Sequence, residues 1–241
     1  MSSAAELEVI QQRGYLIVAV KDNLRPMGFI DAEGQLVGFE VDVARRLAEA
    51  LFGQADAVVF QPVSNRDRLA VVLDNEVDVA IASVTATGPR YRVVNFSTPY
   101  YLDGTTLIAR DIAIQTLSDL AQRPVAILNG SSAIASVRAS LPGAVLVGVE
   151  SYQAARSLLE SNQVSAFAGD ASVLAGWVQE HPAYRLLPDI LSAEPLAVVM
   201  PKGIDYDPLR RQVSALIDSW IQEGWLQERA AYWGLPQYRN E

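Results

Sequence analysis

Short apolar runs of strand length alternate along this chain with segments of helical periodicity, and that alternation limits its fold more than any other feature. The run 16–20 is followed by residues 39–51, where Phe39, Val43, Leu47 and Leu51 fall on one helix face. Residues 57–60 form the next apolar run, and Ser64-Asn65-Arg66-Asp67 then offers a Ser-x-x-Asp start for a helix expected to reach about residue 75. Residues 78–82 are a third run, so the order is β-α-β-α-β, which calls for a parallel sheet with helices on its faces. Residues 6–14 suit a short amphipathic helix, and Asp31-Ala32-Glu33-Gly34 has the turn chemistry of a hairpin. The scheme then repeats without visible sequence repetition. Strands are expected at 105–109, 125–128, 144–149, 165–168 and 196–200, with helices at 133–141, 152–162 and about 171–180, and two closing helices at 208–223 and 225–233. No low-complexity linker separates the halves. The break is therefore expected in extended segments near 101–105 and 192–196, and two crossings return the end of the chain to the first lobe. That assigns 1–103 plus 195–241 to lobe 1 and 104–194 to lobe 2.

Composition removes several classes of function. The formal net charge of −9 and pI near 4.7 lack the basic face that nucleic acid requires. No run of about 18 apolar residues offers a membrane-spanning helix. There is no cysteine, which removes disulfides, zinc–thiolate sites and cysteine nucleophiles together. With His181 the only histidine, a catalytic or metal cluster built on several histidines is ruled out, and no Gly-rich phosphate loop occurs. No catalytic residue, metal or cofactor is expected. The opening Met1-Ser2-Ser3-Ala4-Ala5-Glu6 has neither the charged nor the apolar region of a signal peptide, which suits a cytosolic protein or a mature chain restarted at Met1.

The most informative stretch is 78–101. An apolar strand breaks into Ser83, Thr85 and Thr87, then Gly88-Pro89-Arg90. Hydroxyls and a guanidinium are thus placed at the carboxyl edge of a sheet, where open α/β sheets bind ligands. Thr87 suits an N-cap and Pro89 a first helical turn, which would put Arg90 at the positive end of a helix dipole. A bound anion would offset that unfavourable placement. Gly130-Ser131-Ser132 stands at another helix start, suited either to aiming N–H groups at an anion or to an ordinary capped turn. Asp170, after the strand 165–168, suits an N-cap as well as a ligand-facing acid.

In order along the chain stand Gly38-Phe39-Glu40-Val41-Asp42, Val77-Asp78, Thr85-Ala86-Thr87-Gly88-Pro89-Arg90, Phe96-Ser97-Thr98-Pro99-Tyr100-Tyr101 and a closing Tyr232-Trp233-Gly234. In that sequence they resemble family 3 of the bacterial extracellular solute-binding proteins, the polar amino-acid receptors of ABC importers, over residues 7–235. The resemblance implies a two-lobed periplasmic-binding-protein-like α/β fold of type II, each lobe a mainly parallel sheet flanked by helices, joined by a two-strand hinge. It implies a monomeric periplasmic or extracellular receptor, lipid-anchored or free, that closes on its ligand and delivers it to importer membrane subunits. By the same resemblance Arg90, Thr85 and Ser83 receive the ligand's α-carboxylate, with Ser131 and Ser132 from the second lobe, and Asp170 accepts from the ammonium. Lys21 and Arg68 match the basic residues of the acidic-amino-acid binders, so glutamate or aspartate is the expected ligand; Arg25 and Arg66 suit solvated loop charge. Two departures are evident: many members stack an aromatic where this chain has Leu24 or Met27, and another where it has Asn65. Two alternatives accompany the resemblance. One is a cyclohexadienyl dehydratase-like enzyme with Glu150 as its acid, against which Glu150 equally suits a surface position. The other is the ligand-binding domain of a sensor or receptor, which would need flanking membrane segments.

Overall fold

The computed structural model describes residues 6–236; the reading of residues 1–5 as lacking leader features, and the outermost bounds of lobe 1, lie outside the described residues. In chain order the elements are α1 (Leu7–Arg13), β1 (Leu16–Val20), β2 (Asn23–Leu24), β3 (Gly28–Ile30), β4 (Leu36–Val37), α2 (Phe39–Phe52), β5 (Val58–Pro62), α3 (Ala70–Leu73), β6 (Val79–Ile81) and β7 (Asn95–Asp103). There follow β8 (Thr105–Ala109), β9 (Pro124–Leu128), α4 (Ala133–Ser140), β10 (Val145–Val149), α5 (Tyr152–Glu160), β11 (Ala166–Asp170), α6 (Ala171–Glu180) and β12 (Arg185–Leu186). The chain closes with β13 (Glu194–Met200), α7 (Asp207–Gln222) and α8 (Trp225–Tyr232). The described residues divide into two units, one of residues 6–102 and 194–236, the other of residues 103–193.

In the first unit the sheet order is β5-β1-β6-β13-β7, with β5, β1 and β6 parallel and β13 antiparallel to β6. Side chains of a strand alternate between faces, and the two faces of this sheet bury different sets. Leu16, Val18, Val79, Ile81, Val198 and Met200 pack with α2, α7 and α8, whereas Ile17, Ala19, Ala80, Ala82, Ala197 and Val199 pack with Val71 and Val72 of α3. Because both faces are covered, β1 is buried at every position and reads as a continuous apolar run. Asp78 anchors the strand ends: its carboxylate accepts from Ile17 N–H at 2.8 Å and pairs with Arg13 of α1. The hairpin between β3 and β4 is built on Asp31, whose Oδ1 accepts from the N–H groups of Glu33 and Gln35 at 3.0 and 2.7 Å.

One helix is much shorter than its sequence suggests. Residues 65–69 form turns, and α3 spans only Ala70–Leu73. Ser64 Oγ accepts from the N–H groups of Arg66 and Asp67 at 3.1 and 3.3 Å and donates to the Asp67 carboxylate at 2.5 Å. Such short-range side-chain bonds offer the backbone an alternative to the helical ladder.

The second unit has the sheet order β10-β9-β11-β8-β12, in which β10, β9 and β11 are parallel while β8 is antiparallel to both β11 and β12. Its two faces are again separate cores, one with α4 and the other with α5 and α6 around Phe167 and Trp177. The start of α6 is capped from outside the helix. Asp103 Oδ1 accepts from Ser172 N–H at 3.1 Å and from Gly104 N–H at 2.8 Å, and the Ser172 hydroxyl donates to Oδ2.

Burial pushes the Asp103 carboxyl up from 3.8 to about 6, with the nearby Asp170 charge adding to the rise and the bonds from Ser172 and Gly104 opposing it. A folded-state value above the unfolded one means that the native state holds the proton more tightly. The resulting stability is present below the unfolded value and is lost as pH rises through about 6. Asp103→Asn keeps an acceptor oxygen and removes the titration. Urea unfolding of both proteins should show wild-type stability falling relative to the variant by about 2 kcal/mol from about pH 4 to about pH 7. A difference independent of pH would contradict this.

Candidate functional site

Parallel strands end on one edge of each sheet, and the polar residues singled out in the sequence are stationed there. In the first unit Lys21 follows β1 and Ser83 lies two residues beyond β6. Lys21 is buried and its Nζ donates to the carbonyl of Val63, the residue after β5, at 2.9 Å. Half-buried Arg68 donates through Nη1 to the carbonyls of Ala82 and Ser83 at 2.8 and 2.5 Å. Ser83 has a left-handed backbone, φ 53°, unusual for a residue other than glycine. Its N–H and hydroxyl both donate to Glu40 Oε1, at 2.6 and 2.9 Å, and the Tyr100 hydroxyl donates to the same oxygen at 2.5 Å. The unit therefore gathers Lys21, Arg68 and Ser83 around one fully buried carboxyl.

The electrostatics follow from that burial. Desolvation pushes the Glu40 carboxyl up, against the bonds from Tyr100 and Ser83 and the charge of Arg68. Desolvation and then the Arg68 guanidinium pull Lys21 down, while Asp22 and Glu40 oppose the change. Tyr100 is pushed well up, first by burial and then by Glu40. Sequence reasoning passed over Glu40, Tyr100 and Val63 as parts of the site. A signal for Glu40 was present: it shares a helix face with Ala44 and Leu47, both buried, so a charge stood at a core position.

Arg90 opens a three-residue 3-10 turn, Arg90–Arg92, and its Nη1 donates to the Thr85 carbonyl at 2.8 Å. Thr85 itself is fixed by an isolated antiparallel bridge to Leu196. The expected helix is absent. The cap position of the turn is Pro89, with no side-chain cap; the Thr87 carbonyl accepts from Tyr91 N–H at 3.0 Å, and β7 begins at Asn95. So short a turn has almost no macrodipole, which withdraws the dipole argument for Arg90. Leu24 is half-buried and packs against the core that includes α2. Arg25 lies over the Phe29 ring at 3.8 Å, with a cis Arg25–Pro26 peptide, and Asn65 and Arg66 are exposed.

In the second unit Asp170 is the last residue of β11 and the N-cap residue of α6, yet its side chain makes no capping bond because Asp103 fills that role. Tyr152, at the start of α5, lies close enough to Asp170 that burial and this charge push its phenol up to about 12. Ser131 Oγ accepts from Ala133 N–H at 3.2 Å, an ordinary turn bond, and Ser132 precedes α4 exposed and without a side-chain cap. Glu150 is exposed, and its carboxylate accepts from Asn129 Nδ2 at 2.7 Å. His181, at the end of α6, lies 3.1 Å from Arg156 Nη1.

Known proteins resemble this chain over most of its length. The family model for bacterial extracellular solute-binding proteins, family 3, matches residues 16–236. A glutamine-binding protein of Geobacillus stearothermophilus is 31% identical over 195 residues, which is 80% of this chain and 74% of that protein. An ABC transporter glutamine-binding protein of Bacillus subtilis is 25% identical over 230 residues, 94% of this chain and 84% of that one. Among solved structures, an ancestral amino acid-binding protein described as a precursor of cyclohexadienyl dehydratase superposes with a TM-score of 0.71 at 25% identity, covering 95% of this chain and 100% of its own.

The left-handed Ser83 supplies a local check on this geometry. A β-branched side chain is strongly disfavoured there, so Ser83→Val should lower the unfolding free energy by about 1–3 kcal/mol in urea titrations. Ser83→Gly should cost less, since glycine adopts that backbone freely. Equal costs for the two would contradict the backbone assignment.

Proposed function

The chain belongs to the bacterial extracellular solute-binding proteins of family 3, and we propose that the amino acid it takes is acidic, L-glutamate or L-aspartate. As a member of this family it is an amino-acid-binding protein of an ABC importer, working outside the cytoplasmic membrane. In the proposed reading Arg90, Thr85 and Ser83 of the first unit receive the α-carboxylate. Ser131, Ser132 and Asp170 of the second unit supply N–H groups to the carboxylate and an acceptor to the ammonium. The observation that carries the carboxylate assignment is Arg90: Thr85 takes one donor of a planar guanidinium that has five, so a bidentate carboxylate can use the others.

Support for an acidic side chain comes from Lys21 and Arg68. Lys21 is drawn down by desolvation and then by Arg68, and an anionic ligand group beside it would oppose both effects. A neutral polar ligand is the second reading. It is favoured by the carbonyl partners that Lys21 and Arg68 already have, by the Glu40 carboxyl beside them, and by the glutamine named for two relatives. The dehydratase reading has less behind it, because the acid considered for it, Glu150, is exposed and bonded to Asn129.

Titration calorimetry of L-glutamate, L-aspartate, L-glutamine and L-arginine separates the readings. Micromolar binding, about −8 kcal/mol, is expected for the acidic pair; tight glutamine or arginine binding with none for glutamate and aspartate would overturn acidic specificity. Arg90→Ala should weaken binding by 100-fold or more, about 2–5 kcal/mol, with the thermal midpoint unchanged. Wild-type affinity in that variant would remove Arg90 from the site.

A further inference from the structure

Glu40 is the one fully buried carboxyl of the ligand-facing edge that the proposed contacts leave without a role. Its two oxygens are treated very differently. Oε1 accepts three donors, from the Ser83 N–H at 2.6 Å, the Ser83 hydroxyl at 2.9 Å and the Tyr100 hydroxyl at 2.5 Å. Oε2 is buried, and among the described residues no hydrogen bond reaches it. A buried carboxyl oxygen with no protein partner is costly, so Glu40 is poorly explained as packing.

What the one-sided arrangement achieves is visible in Ser83. The φ and ψ of residue 83 set the relative orientation of the Ala82 and Ser83 carbonyls. In an extended strand successive carbonyls point to opposite sides, whereas a helical backbone of either hand aligns them. Ser83 is left-handed at φ 53°, and both carbonyls reach the same nitrogen of Arg68, at 2.8 and 2.5 Å. Two of the three bonds to Oε1 come from Ser83, the residue that must hold this disfavoured conformation.

We propose that Glu40 is a positioning residue of the ligand site, holding through one carboxyl oxygen the left-handed turn at Ser83 that aims two successive carbonyls at Arg68. The third bond, from Tyr100, fixes the carboxyl against β7. The proposal rests on the assignment of Ser83 and Arg68 to the ligand. The charged and titratable groups facing the carboxyl are Arg68 from the turns before α3, Lys21 from the end of β1 and Tyr100 from β7. Burial pushes the Glu40 carboxyl up, and the Ser83 amide that donates to it at 2.6 Å is placed to report its change of charge.

Two variants and two readouts test this. In unliganded, nitrogen-15-labelled protein the Ser83 amide resonance should move as pH rises, with a midpoint above the ordinary carboxyl value, and should stay flat in Glu40→Gln. Calorimetry with L-glutamate and with L-glutamine should show Glu40→Ala weakening whichever binds the wild type by about tenfold or more, and Glu40→Gln, which keeps an acceptor oxygen, recovering most of that loss. A folded Glu40→Ala protein with wild-type affinity, or a Ser83 amide indifferent to both pH and Glu40→Gln, would overturn the proposal. Should Glu40→Ala not fold, the comparison of wild type with Glu40→Gln decides it. If neither amino acid binds the wild type, or Arg90→Ala changes nothing, the ligand assignment fails, and the Ser83 resonance alone decides the role of Glu40.

Discussion

Parallel strands deliver the ends of their apolar runs to a single edge, and backbone groups at that edge must be satisfied by something other than the sheet. In the first unit this demand recruits side chains that look as though they were waiting for a ligand. Lys21 answers the Val63 carbonyl, Arg68 answers Ala82 and Ser83, and Arg90 answers Thr85. Each cation is thereby held by a carbonyl of the protein itself. Such partners mean that a basic residue at this edge cannot be read simply as an unsatisfied counter-charge.

The same edge holds charges of both signs at close quarters. Glu40 and Lys21 are both desolvated there; the Arg68 charge lowers both, and Glu40 opposes the lowering of Lys21. The second unit repeats the device with acids: Asp103 takes over the capping of α6 from Asp170, the residue that sequence would choose for it. In both units an unexpected buried acid, Glu40 or Asp103, carries the structural burden, while the group next to it stays at the carboxyl edge of the sheet. Ser83 and Asp170 are those neighbours.

Much of the architecture was legible in the sequence because it depends on periodicity. Residues 39–51 give α2, and the apolar run 78–82 gives β6, within a residue or two at each end. The hairpin at Asp31 was legible because its turn chemistry is local. Local chemistry also produced the errors. Ser64 and Asp67 carry a capping pattern, but they bond to their own turn and delay α3 until Ala70. Thr87 and Pro89 suggested a helix that survives only as a 3-10 turn. What could not be read was any role set by distant partners: Glu40 is joined to Tyr100 and Ser83 across 60 and 43 residues of sequence, and Asp103 to Ser172 across 69.

The place of β13 has a consequence for how the molecule is made. It lies between β6 and β7 in the first sheet, yet it is synthesised after every element of the second unit. On a ribosome the uninterrupted stretch 103–193 therefore has all its strands available while the amino-terminal sheet still has a gap at its interior. Multidomain chains commonly complete their units from the amino terminus onward; here the order is reversed. The half of the protein that begins first is finished last, and until residues 194–200 emerge, Thr85 lacks the bridge to Leu196 that steadies the carbonyl on which Arg90 rests.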